Sequence, residues 1–252
     1  MIIDISHHQN PANMNYDKLA KQVKLVIIRT QYGSRTIDRC YKTHQREFQK
    51  RGVPTAAYAW VRGINIADMK REARDFYAWT KDLNPTFWFL DVEEISMQDM
   101  RAGVKAYVQE LRNLGAKKVG AYIAHHLYKQ LNLDLNDFDA IWIPHYGKNN
   151  GQVTSTPQFP CDIHQYTDKG RLDGYPGYLD LNRLMGTKPL EYFTGKEVVN
   201  VADKKKDNNP SPWAKESWQW AIENGITDGS RPKDPATREE VAAMIHRAKK
   251  VK

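Results

Sequence analysis

Phe87-Trp88-Phe89-Leu90-Asp91-Val92-Glu93 is the stretch on which the reading of this chain turns. Four large apolar side chains in a row have the length and bulk of a buried β-strand, and the run ends on two acids separated by one residue. In a strand, residues i and i+2 share a face and lie roughly 6.6 Å apart along the chain. Asp91 and Glu93 would then project together from the end of the strand. Two carboxyl groups held close in a partly dry place cannot both ionise easily, so the pKa of one should rise. A carboxyl kept protonated near neutral pH can give a proton to a glycosidic oxygen. The plainer reading of Asp91-Val92-Glu93-Glu94 is an exposed acidic turn leading into a helix.

Working outward, apolar runs of similar length recur at residues 2–5, 25–30, 55–61, 119–124 and 140–144. Between them lie longer amphipathic stretches, clearest at 66–80 and 97–114, where apolar residues return every three or four positions. Gly52, Gly115 and Gly120 stand where a helix should stop or a strand begin. Strand alternating with helix defines an α/β protein with a parallel sheet. Five or more such units in under 200 residues favour a barrel, and alternation alone leaves an open sheet as the alternative. After Pro144 the helical pattern stops, and 164–166 and 178–181 read as short strands joined by loops rich in Gly, Pro and Asn. A barrel would therefore close irregularly, without its last helices. At the strand C-termini, side chains point into the mouth where barrel active sites sit.

Two more acids support a functional mouth. Asp4 stands on the first apolar run, and Asp180 stands within Leu179-Asp180-Leu181-Asn182. A charge inside a short apolar strand is expensive to bury unless it is paired or used. Tyr58, Trp60, Tyr122, Trp142, Tyr146 and Tyr166 cluster on the same strand ends, and flat aromatic faces suit the C–H faces of sugars. Each taken singly also suits a core. Gln165 adds a neutral hydrogen-bonding group of the kind sugar sites use.

The chain has 252 residues, 40% hydrophobic and 27% charged, with a formal net charge of +8 and a pI near 9.3. That charge draws it to polyanions: nucleic acid, anionic lipid or the polymers of a bacterial wall. The lysines are scattered and no reader motif is present, which argues against nucleic acid as partner. No apolar run reaches the roughly 18 residues that span a membrane. Met1 to Ser6 lacks the pattern of a secretory signal and reads as a first strand, so synthesis in the cytoplasm is expected. Cys40 and Cys161 are expected as buried free thiols. His7-His8 and His125-His126 are adjacent pairs, expected to point to opposite faces of strands. They lack the spacing of a metal motif, so neither metal nor cofactor is expected.

Composition shifts at residues 197–210, where Lys204 to Pro210 contains no apolar residue and reads as a linker. Beyond it, 211–252 holds two helical patterns, 213–224 and 237–249, which make a small helical C-terminal domain. The expected division is a barrel at 1–196, the linker, and this module.

In combination these residues resemble glycoside hydrolase family 25, the lysozymes with an irregular TIM-like barrel found in phages and bacteria. The resemblance covers about residues 1–190. It rests on Asp4-Ile5-Ser6-His7-His8-Gln9, Ile27-Ile28-Arg29-Thr30, Gly52 with Ala57-Tyr58, Asp91-Val92-Glu93, Gly120-Ala121-Tyr122, Ile141-Trp142-Ile143, His164-Gln165-Tyr166 and Leu179-Asp180-Leu181-Asn182. It implies about eight strands and five helices, and hydrolysis of the β-1,4 bond between N-acetylmuramic acid and N-acetylglucosamine in peptidoglycan. Glu93 would be the general acid, Asp91 would orient the acetamido group or stabilise positive charge, and Asp4 and Asp180 would support them. Tyr58, Trp60, Tyr122, Trp142, Tyr146, Gln165 and Arg29 would line the substrate groove. Ala59-Trp60 and Pro144-His145 depart from the family pattern.

The tail resembles a single S-layer-homology module through Trp213-Ala214, Asn224-Gly225-Ile226, Asp228-Gly229 and Thr237-Arg238-Glu239-Glu240. This implies binding to an anionic secondary wall polymer, with Arg238 and Trp213 as candidate contacts. Thr237-x-x-Glu240 also reads as a helix capping box. The rival functions are a chitinase-like hydrolase and a barrel that binds walls without cutting them. Phe87-Trp88-Phe89-Leu90 before Asp91 argues against the first, and the presence of Glu93 against the second.

Overall fold

A computed structural model describes residues 1–195, 209–230, 232–233 and 235–251. Its contacts group into two compact units, Met1–Glu197 and Val198–Lys252. Most of the 197–210 stretch read as a linker lies outside the described residues.

The first unit alternates strand and helix: β1 (Ile2–Ile5), α1 (Tyr16–Ala20), β2 (Leu25–Tyr32), β3 (Thr36–Ile37), α2 (Tyr41–Gln49), β4 (Thr55–Trp60), α3 (Ile66–Thr80), β5 (Trp88–Val92), α4 (Met100–Leu114), β6 (Val119–Ile123), α5 (Tyr128–Leu131), β7 (Ala140–Pro144), β8 (Ile163–Gly170), β9 (Leu179–Leu184) and α6 (Leu190–Thr194). Pairing runs β1-β9-β8-β7-β6-β5-β4-β2, and β1 also pairs with β2, so eight strands close a barrel. The ninth, β3, is a two-residue strand antiparallel to the end of β2. The other strand pairs are parallel except those of β9, which runs antiparallel to both β1 and β8. No helix separates β7 from β8 or β8 from β9, which is the irregular closure expected from the sequence. Strand β9 begins at Leu179 and leaves Tyr178 half outside in solvent. Three of the six α-helices here have only four or five residues, so the family's five helices survive partly as single turns.

Period-two alternation sorts the strand side chains into two layers. Facing out, Leu90, Val92, Ala121 and Ile123 pack under Met69, Phe76, Val104, Tyr107 and Leu111 of α3 and α4. Ile3, Ile5, Val26 and Ile28 pack under Leu19, Tyr41 and Phe48 of α1 and α2. Facing in, Ile2, Leu25, Ile27, Tyr58, Phe87, Phe89, Tyr122, Trp142 and Ile163 fill the barrel, with Phe193 of α6 closing one end. A fully buried Phe contributes about 1.5–3 kcal/mol, so the three fully buried phenylalanines Phe87, Phe89 and Phe193 supply much of the interior's stability. Gly120 is required here. A Cβ at that position would lie 2.4 Å from the Phe89 ring and 3.0 Å from the Ala140 carbonyl oxygen.

The two long helices begin and end as their sequences dictate. Asn65 caps α3 by accepting from the Asp68 amide at 2.9 Å. Asp99 does the same for α4 with Ala102 at 2.9 Å, and Gly115 ends α4 at φ 113°. In the second unit, α7 (Lys215–Glu223) and α8 (Arg238–Ala248) are the two helices expected. Thr237 and Glu240 form the capping box reciprocally, at 3.1 and 2.8 Å. Cys40 is buried and Cys161 is only half-buried, and both are free thiols. No helix among the described residues is long and apolar enough to cross a membrane.

Candidate active site

The alternation that fills the barrel with aromatic residues ends, one layer higher, on polar ones. Continuing inward from Ile2 is Asp4; from Ile27, Arg29; from Phe89, Asp91; from Ile163, Gln165. Strand register aligns these ends: in parallel pairs Trp60 lies opposite Asp91 and Asp91 opposite Tyr122, and in the antiparallel pairs of β9 Asp4 lies opposite Asp180 and Gln165 opposite Asn182. The result is a polar ring at the C-terminal mouth, resting on the Trp142 ring. Tyr122 and Tyr58 meet that ring edge-on at centroid distances of 4.6 and 6.3 Å.

Asp4 is buried and held by three donated hydrogen bonds: Gln165 Nε2 to both oxygens at 3.0 and 2.9 Å, and Asn182 Nδ2 at 2.7 Å. Gln165 is fixed in turn by Tyr122 and Tyr146, whose hydroxyls donate to its Oε1 at 2.9 and 2.6 Å. Trp142 Nε1 donates to Asn182 Oδ1 at 2.8 Å. Burial pushes the Asp4 carboxyl up to about 6 against the opposing pull of the Asn182 and Gln165 donors. Burial, then the charge of Asp4, pushes Asp180 up to about 9.

Asp91 and Glu93 are hydrogen-bonded to each other. Asp91 is buried at 4% exposure, and its Oδ1 has no hydrogen-bond partner among the described residues. Its pKa is raised well above the ordinary range, first by burial and then by the Glu93 charge. Glu93 is raised by burial and pulled back by the Asp91 hydrogen bond and the charge of His126. Both carboxyls are raised and they interact directly, so the pair titrates together and favours sharing a proton. Glu93 is half-exposed and lines a cavity of about 280 Å³ with Tyr122, His126, His145 and Tyr146. Glu93 can therefore touch a leaving oxygen, and Asp91 stands behind it.

Arg29 is the buried cation of the ring, and its charge stabilises the Asp91 carboxylate. It is also committed elsewhere: Nε donates to Asp38 Oδ2 at 3.2 Å, and the guanidinium contacts His7 Nδ1. Trp60 sits at the rim, where its Nε1 donates to Glu94 at 2.9 Å and its ring lies 5.2 Å from Tyr32. Asp4, Asp91, Glu93, Asp180, Arg29, Tyr58, Tyr122, Trp142, Tyr146 and Gln165 thus come together. Trp213, at 88% exposure, and Arg238, the first residue of α8, belong to the other unit. The histidine pairs are not on strands. His7 and His8 lie in the turn after β1 with rings 4.1 Å apart, and His125 and His126 lie in the turn after β6. The expected strand alternation fails there because each pair falls just past its strand. Sequence reading missed Asn182, His126, His145 and Asp38 as parts of the site. Asn182 could have been found, since it follows Asp180 at i+2 on the same strand face. Nothing local marks the others.

A proton-sharing carboxyl pair in an aromatic-floored mouth is the apparatus of a glycoside hydrolase. Residues 3–175 match the model described as glycosyl hydrolases family 25, and the chain belongs to that family. It is a hydrolase of the lysozyme type. A glycosyl hydrolase 25 of Streptococcus pneumoniae, described as a virulence factor participating in host cell invasion, is 36% identical. That comparison covers 77% of this chain and 91% of that one, with a TM-score of 0.73. The catalytic domain of an endolysin from bacteriophage P40 of Listeria monocytogenes is 26% identical over 77% of this chain and 96% of that one, with a TM-score of 0.71. A bacterial lysozyme from Streptomyces coelicolor, 18% identical over 77% and 96% at a TM-score of 0.63, shares the fold. Compared with curated protein sequences, the chain matches none.

Proposed function

We propose that this chain is an N-acetylmuramidase that cuts the β-1,4 bond between N-acetylmuramic acid and N-acetylglucosamine in bacterial peptidoglycan. The observation that carries it is the hydrogen-bonded pair of buried Asp91 and rim-exposed Glu93. Glu93 protonates the leaving oxygen. As the substrate's 2-acetamido group takes Asp91 as its acceptor, the shared proton passes to Glu93, where the leaving group needs it. The acetamido oxygen then attacks the anomeric carbon from the other face, water opens the resulting ring, and configuration is retained. Asp4 supplies negative charge under the cationic transition state, with the Asp180 carboxyl, raised to about 9, beside it. A second reading is inversion, with Asp4 or Asp180 activating a water; their position across the mouth from β5 is what supports it.

The chain serves as a phage-type endolysin at the wall of the host. Residues 211–252 form a tail that binds an anionic secondary wall polymer, with Arg238 and Trp213 in contact and 197–210 as linker. What supports the tail's role is the sequence resemblance and the exposed Trp213.

The test is digestion of purified walls followed by borohydride reduction and mass analysis of the new ends. Reduced muramic acid is expected; reduced glucosamine would overturn the assignment. Proton NMR of the first anomer released from a soluble muropeptide separates the mechanisms. The β-anomer is expected, and an α-anomer would establish inversion.

A further inference from the structure

Beside the catalytic mouth lies a cleft of about 780 Å³ that the mechanism above does not use. It runs between the β2–β3 hairpin and the start of α3, and Arg35, Arg62, Arg71 and Arg74 line it. A second cavity of about 310 Å³ adjoins it. The two share Tyr32 and Thr36, and the second adds Arg29 and Arg39. Six arginines therefore surround one short hairpin, while the centre of the mouth carries four carboxyl groups.

Of the four arginines of the larger cleft, Arg71 alone is paired, among the described residues, with an acid of the lining. Arg62 pairs with Glu94 at 2.7 Å and Arg74 with Glu110 at 2.9 Å, and both acids stand outside the cleft lining. Arg71 pairs with Asp68 and reaches across to Ser34 Oγ on the hairpin at 3.1 Å. Arg35 is exposed and makes no ion pair among the described residues. The only acids in the lining are Asp68 and Glu72. Glu72 is buried, accepts the Arg62 amide at 3.1 Å, and is pushed up to about 7 by burial, so it adds little negative charge in mildly acidic conditions. The capped end of α3 also lines the cleft, through Asn65 and Ala67, and brings the positive end of its dipole.

The cleft is tied through Arg62 to the segment that carries the carboxyl pair. Glu94, next in sequence to Glu93, takes the Trp60 indole N–H at 2.9 Å and the Arg62 guanidinium on the same oxygen. Arg62 lies over the Tyr32 ring at 4.9 Å. A strand bound over Glu93 and running toward Trp60 would approach these arginines. Wall glycan carries acidic peptides on its muramic acid residues. A basic flank beside the mouth gives those carboxylates a counter-charge and so sets which way the strand lies.

We propose that the Arg35–Arg62–Arg71–Arg74 cleft is an oxyanion-binding site that takes acidic groups tethered to the glycan strand next to the scissile bond, foremost the carboxylates of the peptide stem. This rests on wall glycan being the substrate. Phosphates of a wall polymer share the chemistry, so the experiment separates the two sources.

The variant is Arg35→Gln/Arg71→Gln in the full chain, which leaves every residue of the catalytic mouth in place. Initial rates are measured on three substrates: intact walls, walls stripped of phosphate polymer, and glycan chains freed of peptide by an amidase. Loss of two partly exposed contacts should raise KM about tenfold with kcat little changed. That rise on the first two substrates and its absence on peptide-free chains establishes the stem as ligand. A rise confined to walls that carry phosphate polymer also supports the site, with phosphate as ligand. An equal rise on all three, or none on any, overturns the proposal. A binding arm does not depend on turnover: Trp60 fluorescence or arginine side-chain NMR is followed as an acidic tetrapeptide and inorganic phosphate are titrated in. Wild-type chain is expected to respond to at least one probe and the variant to respond about tenfold more weakly. Silence of the wild type to both overturns the site, whereas failure of the wild type to cut any wall, with binding intact, counts against the assigned reaction alone.

Discussion

Replacing Asp91 by asparagine removes one atom's worth of chemistry and leaves the shape of the mouth intact. In the proposed mechanism the wild-type pair shares a proton that the buried Asp91 can pass to Glu93, and both carboxyls are raised by burial. The amide of the Asp91→Asn variant can donate in the same direction but cannot give the proton up. Glu93 is then held as a carboxylate by a permanent donor, and no charge develops beside it to raise its affinity for a proton. Its pKa falls, at about 1.36 kcal/mol per unit. Activity that needs protonated Glu93 is lost as pH rises through that pKa, so the alkaline limb of the rate profile moves to lower pH. Each unit lowers the protonated fraction about tenfold above the pKa. With general acid catalysis worth about 10²- to 10⁴-fold, kcat at pH 6–7 should fall by at least about a hundredfold. Folding should be little affected, because burial favours the neutral carboxyl that the amide replaces. The assay is release of reducing ends from soluble glycan fragments between pH 4 and 9, with circular dichroism and thermal melting as controls. A folded variant keeping more than half of wild-type kcat, or an alkaline limb displaced upward, would refute the proton-sharing argument.

Three further outcomes are expected. Glu93→Gln should fold normally and lose about 10²- to 10⁴-fold in wall lysis; half-maximal activity in a folded variant would remove Glu93 as the acid. Glu72→Gln tests a buried acid whose pKa rises from 4.5 to about 7 on folding. Such a group binds its proton more tightly when folded, so wild-type stability is full below about pH 4.5 and declines up to about pH 7, by about 3–3.5 kcal/mol at most. The variant should therefore match the wild type at pH 4 in urea unfolding and exceed it at pH 8, and an identical difference at both would count against the shift. A chain ending at residue 196 should fold and cut soluble fragments at the wild-type rate but bind intact walls less well at moderate salt. The buried members of all three apolar clusters come from residues 2–193. Unfolding of that chain, or unaltered wall binding, would contradict two independent domains.

The sequence by itself determined the eight strand segments that form the barrel and the side of each on which chemistry sits. The reason is local: a period of two in 87–93 places Phe87, Phe89 and Asp91 on one face whatever the strand pairs with. The irregular end of the barrel was legible for the same kind of reason, since the helical period stops after Pro144. What only the tertiary structure decided is how those faces meet. Asp4 and Gln165 are 161 residues apart and share two hydrogen bonds, because β9 runs antiparallel between β1 and β8 and brings Asn182 to the same carboxylate. No local pattern encodes that reversal. Burial, too, is a property of the closed barrel. It raises the Asp91 carboxyl well above the ordinary range and leaves Glu93 at the rim, although in the sequence the two acids look alike. The arginine cleft was invisible for the same reason: Arg35, Arg62, Arg71 and Arg74 come from a hairpin, a loop and a helix whose only relation is the space they enclose.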